Sequence, residues 1–78
     1  MRLVVDTVET FRDLVLKQRL SGNLSQDDVA GASGVTQALI SKFESSKTDL
    51  TLSSFFSIAQ ALGFQVLLVK EASHGQRK

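Results

Sequence analysis

Thr36, Gln37, Ala38, Ser41 and Lys42 bring an amide, two hydroxyls, a methyl and a cation onto one face of a short predicted helix. Such a face can hydrogen-bond and offset charge. A glutamine amide near a helix start can bond N6 and N7 of adenine together. An alanine methyl can meet that of thymine, and hydroxyls can reach base edges or phosphates. Alone, Gln37 would be an ordinary surface residue. What singles it out is its setting, in which Gln26, Ala30, Gly34, Val35, Ile40, Ser41, Phe43 and Glu44 each occupy a mechanically sensible position. Two short helices meeting steeply need a small residue where their backbones approach, here Ala30. They also need a residue tolerant of positive φ at the turn, here Gly34. Val35, Leu39, Ile40 and Phe43 then form the buried face of the second helix. Its polar face is left free to enter a major groove and read bases through Thr36, Gln37, Ala38 and Ser41.

Phosphate contacts are expected on either side of that face. Ser25 and Gln26 open the preceding helix, where unpaired N–H groups and the helix dipole favour an anion. Asp27 and Asp28 suit that terminus but repel phosphate, so they should turn away and moderate affinity. Lys42, Ser45, Ser46, Lys47 and Thr48 could form a second clamp on the backbone; the alternative is a solvated loop.

Catalysis finds little support. The chain has no cysteine and no tyrosine, and the one histidine, His74, falls in a tail read as disordered. No general base is placed near the serines, and neither a metal-ligand spacing nor a glycine-rich phosphate loop is present, so no metal or cofactor is expected. The 78 residues allow one small domain with one core, often stabilised by a partner subunit. No apolar run is long enough for a membrane span or a secretory signal, which makes a cytoplasmic protein the default. A formal net charge of only +1 means that DNA binding must rest on local geometry rather than on a global basic field.

The elements that would hold these residues are read from caps and periodicity, since proline is absent. Asp6 with Glu9 suggests a capping box for a helix to about Leu20. Val8, Phe11 and Val15 form its core stripe, with Leu14 alongside; Leu16 and Leu20 lie off it and could meet a partner. Ser25 with Asp28 opens a helix from Gln26 to about Ser33, and Thr36 caps one running to about Ser45. Thr51 caps a fourth, Leu52 to Leu62, closed by Gly63. On that helix Leu52, Phe55, Phe56, Ala59 and Leu62 should be the main wall of the core. Phe64, Val66, Leu67, Leu68 and Val69 then read as a β-strand apolar on both faces. Such a strand needs a partner, either its twin across a two-fold axis or the β-prone run at residues 2–5. The domain is expected to span 1–71, with a basic, disordered tail at 72–78.

At these residues the chain resembles the Cro and phage-repressor class of helix-turn-helix domains, the xenobiotic-response-element (XRE) family of bacterial regulators, over residues 9–63. Within it the likeness is nearest to HipB-type antitoxins, through Val-Thr-Gln-Ala-Leu-Ile-Ser-Lys-Phe-Glu at 35–44 and Thr-Leu-Ser-Ser-Phe-Phe-Ser-Ile-Ala-Gln-Ala-Leu at 51–62. The strand at 64–69 extends it, while Ser33 stands where the class usually has an apolar residue. The resemblance implies a mainly α, four-helix, lambda-repressor-like DNA-binding domain whose C-terminal strand, with or without a short N-terminal one, forms a dimer lid. It also implies a salt bridge from Arg19 to Glu44 that ties the reading helix to the scaffold.

Function follows as an expectation. A homodimer would repress transcription by binding double-stranded DNA at a near-palindromic operator. As a HipB-like antitoxin it would also bind and neutralise a HipA-like serine/threonine kinase toxin and control the operon encoding both. A stand-alone phage-like regulator is the first alternative. A protein-interaction module on the same fold, without DNA binding, is the second.

Overall fold

The computed structural model describes residues 1–71, and the expected tail at 72–78, with His74, lies outside the described residues. Four helices follow one another: α1 (Val8–Ser21), α2 (Gln26–Ser33), α3 (Gln37–Glu44) and α4 (Leu52–Ala61). Each starts at a hydroxyl residue in extended conformation whose oxygen accepts the N–H three positions on. Thr7, Ser25, Thr36 and Thr51 do this at 3.0, 2.9, 3.2 and 3.1 Å. Such a cap contributes about 1 kcal/mol, so helices this short depend on them. At Ser25 the box is complete, because the Asp28 carboxylate accepts the Ser25 N–H at 2.8 Å. The first cap differs from expectation. Thr7, not Asp6, starts α1, and the residue three on is Thr10, so Glu9 closes no box.

The C-terminal ends share one device. In α1, α3 and α4 a residue just past the cap takes positive φ, at Asn23 (58°), Ser46 (64°) and Gly63 (87°). That residue and its successor return two N–H groups to the last turn. The longer bonds run from Leu24 to Arg19, from Lys47 to Lys42 and from Phe64 to Ala59, at 2.9, 2.8 and 2.9 Å. Helix α2 ends instead at Gly34 (φ 77°), whose N–H reaches Ala30 O at 2.9 Å. Ser33 serves the turn with its side chain. Its hydroxyl accepts Val35 N–H at 3.2 Å and donates to Ala30 O at 3.4 Å, which accounts for a polar residue there.

The core is small. Phe11 and Val15 of α1, Val29 of α2, Ile40 and Phe43 of α3, and Ile58 and Ala59 of α4 are buried, with Leu14, Ala30, Val35, Leu50, Phe55, Leu62 and Phe64 packed on them. The ring of Phe11 lies 4.6 Å from that of Phe55 and 6.0 Å from that of Phe43, so three helices meet at one aromatic contact. Helix α2 packs on both α3 and α4, and α1 packs on α3.

Two expectations about the core are corrected. Val8 and Phe56 are exposed and Leu52 is 70% exposed, whereas Ile58 is fully buried. The stripe on α4 is therefore Phe55, Ile58, Ala59 and Leu62. It obeys the same i, i+3, i+4, i+7 rule as the expected one, rotated about the helix axis.

The strands are also corrected. Among the described residues there is no regular strand, neither at 2–5 nor at Phe64, Val66, Leu67, Leu68 and Val69. A strand exists only through ladder bonds to another, and the two runs do not pair within the single chain. Phe64 is drawn in against the core, but Leu67, Leu68 and Val69 are left facing solvent.

Candidate nucleic-acid interface

Thr36, Gln37, Ala38 and Lys42 are exposed on α3 and Ser41 is half-buried, while Ile40 and Phe43 are turned inward. The outward face is therefore the short, polar one. Ser25 is exposed at the start of α2 beside half-buried Gln26; Ser45, Ser46 and Lys47 are exposed beyond α3, and Thr48 is half-buried.

A chain of hydrogen bonds runs from this face into the scaffold. The Gln37 amide Nε2 donates to Gln26 Oε1 at 2.6 Å, and Gln26 Nε2 donates to Glu44 Oε1 at 3.0 Å. The Glu44 carboxylate then accepts both Nε and Nη2 of Arg19, at 2.7 and 2.8 Å. Arg19 also donates from Nη1 to Leu24 O at 3.0 Å, in the loop before α2. One relay thus joins both ends of α3, the start of α2 and the end of α1. It fixes the Gln37 amide by giving one of its hydrogens a partner while a carbonyl oxygen and a second hydrogen stay available.

The innermost pair is well shielded, with the Arg19 and Glu44 side chains 12% and 5% exposed. Burial by itself pushes the Glu44 carboxyl up. The hydrogen bonds from Arg19 and Gln26, together with the charge of Arg19, outweigh that and hold it below the ordinary glutamate value. Arg19 is pushed up in turn, chiefly by its hydrogen bond to Glu44. Asp28 sits below its usual range because the Ser25 backbone and hydroxyl both bond to it. That carboxylate is engaged in its own cap.

Sequence reasoning missed Arg12. Its guanidinium, 13% exposed, donates from Nε to Phe43 O at 2.6 Å and from Nη2 to Thr48 O at 3.3 Å. It also lies 3.4 Å from Asp49 Oδ1 and 4.8 Å from the centre of the Phe43 ring. The available signal was spacing: Arg12 and Arg19 lie seven residues apart, two helical turns on one face of α1. Both reach the C-terminal end of α3, where the helix dipole favours cations.

Two short helices meeting across a glycine turn, the second with a polar outward face and tied back by side-chain bonds, are the frame of a helix-turn-helix DNA-binding domain. A family model described as helix-turn-helix matches residues 15–67, and the chain belongs to that family, in its XRE-type form. Comparison with curated proteins finds no match. Solved structures do match. A complex of a singly substituted HipB with an O2 20-mer is similar at a TM-score of 0.77 and 26% identity, covering 90% of this chain and 97% of that one. A HipA–HipB–O2–O3 complex is similar at a TM-score of 0.76 and 26% identity, over 88% of this chain and 97% of that one. A HipB–O1–O2 complex matches at 0.72 and 26%, over 90% and 100%. No helix among the described residues is long and apolar enough to cross a membrane.

Proposed function

We propose that this chain is a sequence-specific transcriptional repressor of the HipB type, binding operator DNA as a homodimer and serving as antitoxin to a HipA-like kinase. The observation that carries the reading is the relay from Gln37 to Arg19, because an exposed amide held at a helix start has a fixed direction in which to offer its remaining groups. The HipB and HipA–HipB complexes with O1, O2 and O3 among the structural neighbours support it.

In this reading Thr36, Gln37, Ala38 and Ser41 face the base edges of a major groove. Ser25 and Gln26 grip the backbone on one side, and Lys42, Ser45, Ser46, Lys47 and Thr48 on the other. Two copies place their reading helices about 34 Å apart on one side of the duplex. The dimer surface includes Val66, Leu67, Leu68 and Val69, whose apolar side chains the single chain leaves largely exposed. A regulator of this kind needs no catalytic group and no cofactor.

The test is binding to DNA from upstream of the protein's own gene, by fluorescence anisotropy. Gln37→Ala should cost on the order of 1 to 3 kcal/mol on the cognate site and relax discrimination there. Lys42→Ala should weaken all sequences alike and reduce the salt dependence. Equal binding by Gln37→Ala and wild type would remove Gln37 as a reader. Purification of the tagged protein after nuclease treatment tests the antitoxin role. A stoichiometric kinase-like protein supports it, and a protein that elutes alone yet binds its own promoter is a stand-alone regulator.

A further inference from the structure

We propose that Arg12 is the positioning residue of the DNA-gripping loop at 45–49, and that α1 thereby sets how this domain holds the DNA backbone. The proposal rests on the DNA-binding reading above, but its structural half stands apart from it. The loop has an unfavourable conformation to maintain. Ser46 sits at φ 64°, a left-handed geometry that glycine adopts readily and serine does not. Its own backbone bonds, Ser46 N–H to Phe43 O at 3.1 Å and Lys47 N–H to Lys42 O at 2.8 Å, anchor only its first half.

Arg12 reaches both halves. Nε of the guanidinium donates to Phe43 O at the root of the loop, Nη2 to Thr48 O on its far side, and Asp49 completes the fork. The plane lies over the Phe43 ring, whose own position is fixed in the core. A planar fork with two directed donors can hold two carbonyls at a set separation, and a lysine ammonium on a flexible stem cannot. Lys47 and the Ser46 hydroxyl are exposed on the segment that Arg12 spans, so their placement against phosphates follows from its bonds, whereas the Ser45 hydroxyl is turned back onto Ser41 O at 2.9 Å. Arg19 does the corresponding work for the reading face through Glu44 and Gln26. The two arginines of α1 thus divide the interface, Arg19 serving the side of Gln26 and Gln37 and Arg12 the loop after α3.

Arg12→Lys keeps the charge and most of the packing over Phe43, so it tests the fork without emptying the site; Arg12→Gln removes the charge as well. Amide hydrogen exchange on the free protein is the first readout. In both variants the Ser46 and Lys47 amides should exchange at least about tenfold faster while those of Ile40 and Ile58 keep their protection. The second readout is the salt dependence of operator binding. Each lost phosphate contact lowers the slope of log K against log salt by about 0.9. The variants should therefore lose about one to two units of slope per dimer, and adding Lys47→Ala should take away little more. Unchanged loop exchange, or exchange rising equally in loop and core, would overturn the proposal. So would an unaltered slope with additive effects of Arg12→Lys and Lys47→Ala. Failure of the wild type to bind the operator would sink the DNA reading instead, while the exchange result still decides whether Arg12 holds the loop.

Discussion

The two ends of this small domain treat their surfaces in opposite ways. From α1 through the loop after α3, helix ends are capped within the chain and Arg12, Arg19, Gln26, Gln37 and Glu44 find partners among one another or on nearby carbonyls. After Gly63 the chain carries Leu67, Leu68 and Val69 outward, Leu68 at 94% exposure. The first region is finished as a single chain, and the second leaves apolar side chains uncovered. In the proposed reading, self-sufficiency at the polar end keeps α3 rigid before it meets DNA, whereas the uncovered apolar end is left to be ordered by association.

The strongest way to break the contrast is to remove one member of the shielded pair of Arg19 and Glu44. Glu44→Ala would leave the Arg19 guanidinium shielded without its carboxylate; breaking a fully buried pair costs about 3 to 5 kcal/mol, and this partly buried one should lose up to about 3. The urea midpoint should fall further than for any other single substitution proposed. Replacing both members, Arg19→Met with Glu44→Leu, should return most of the stability, since well-packed apolar pairs substitute for buried ion pairs without loss. It should not return DNA affinity, because Gln26 then has no carboxylate to hold it and Gln37 loses its fixed direction. A double variant that is both stable and fully active would show that the relay serves stability alone.

At the other end, Leu68→Lys should leave the folded single chain unchanged while weakening the dimer. Full burial of a leucine contributes about 1.5 to 3 kcal/mol, and a two-fold interface loses it twice. Sedimentation equilibrium should give monomers at concentrations where the wild type is dimeric, with the thermal transition of the monomer unaltered. A variant that dimerises as before would place the interface elsewhere.

Acid should loosen the polar end first. The Glu44 carboxyl is held below its ordinary value in the fold, so the stability it contributes is complete above the unfolded value, about 4.3, and drains away as pH falls through the folded one. Asp28 acts in the same direction through its cap. The urea midpoint should be flat from about pH 7 to 5 and decline below about 4, and the decline should shrink in the Arg19→Met, Glu44→Leu pair. An unchanged acid limb in that pair would assign it to other carboxylates.

Much of this architecture was legible because local rules wrote it. Ser25, Thr36 and Thr51 announce three helix starts, Gly34 the turn and Gly63 the last helix end, each by a bond made within a few residues. Legibility fails where a feature has no local signature. Arg12 binds main-chain carbonyls 31 and 36 residues away, and a carbonyl belongs to every residue, so no complementary side chain marks its partner. On α4 two apolar stripes share Phe55, Ala59 and Leu62, and packing against α2 turns Ile58 inward in place of Leu52 and Phe56. The run at 64–69 has strand character but no strand partner in the single chain. Asp6 and Thr7 could each cap α1, and the extended backbone of Thr7 decides the register.

The smallest effect concerns how α3 and α4 end. Both close with the same pair of bonds, yet the residue at positive φ is Ser46 in one and Gly63 in the other. A side chain in the left-handed region costs about 1 to 2 kcal/mol, offset in part because glycine has more unfolded freedom to lose. Ser46→Gly should therefore stabilise the domain by about 0.5 to 1 kcal/mol, and Gly63→Ala should destabilise it by a similar amount. A Cβ at Gly63 would meet nothing within 4 Å, so its penalty is conformational and not steric. The two urea midpoints should move in opposite directions by comparable amounts. If Ser46→Gly instead lowers the midpoint, the serine side chain contributes more to the loop than its backbone strain costs.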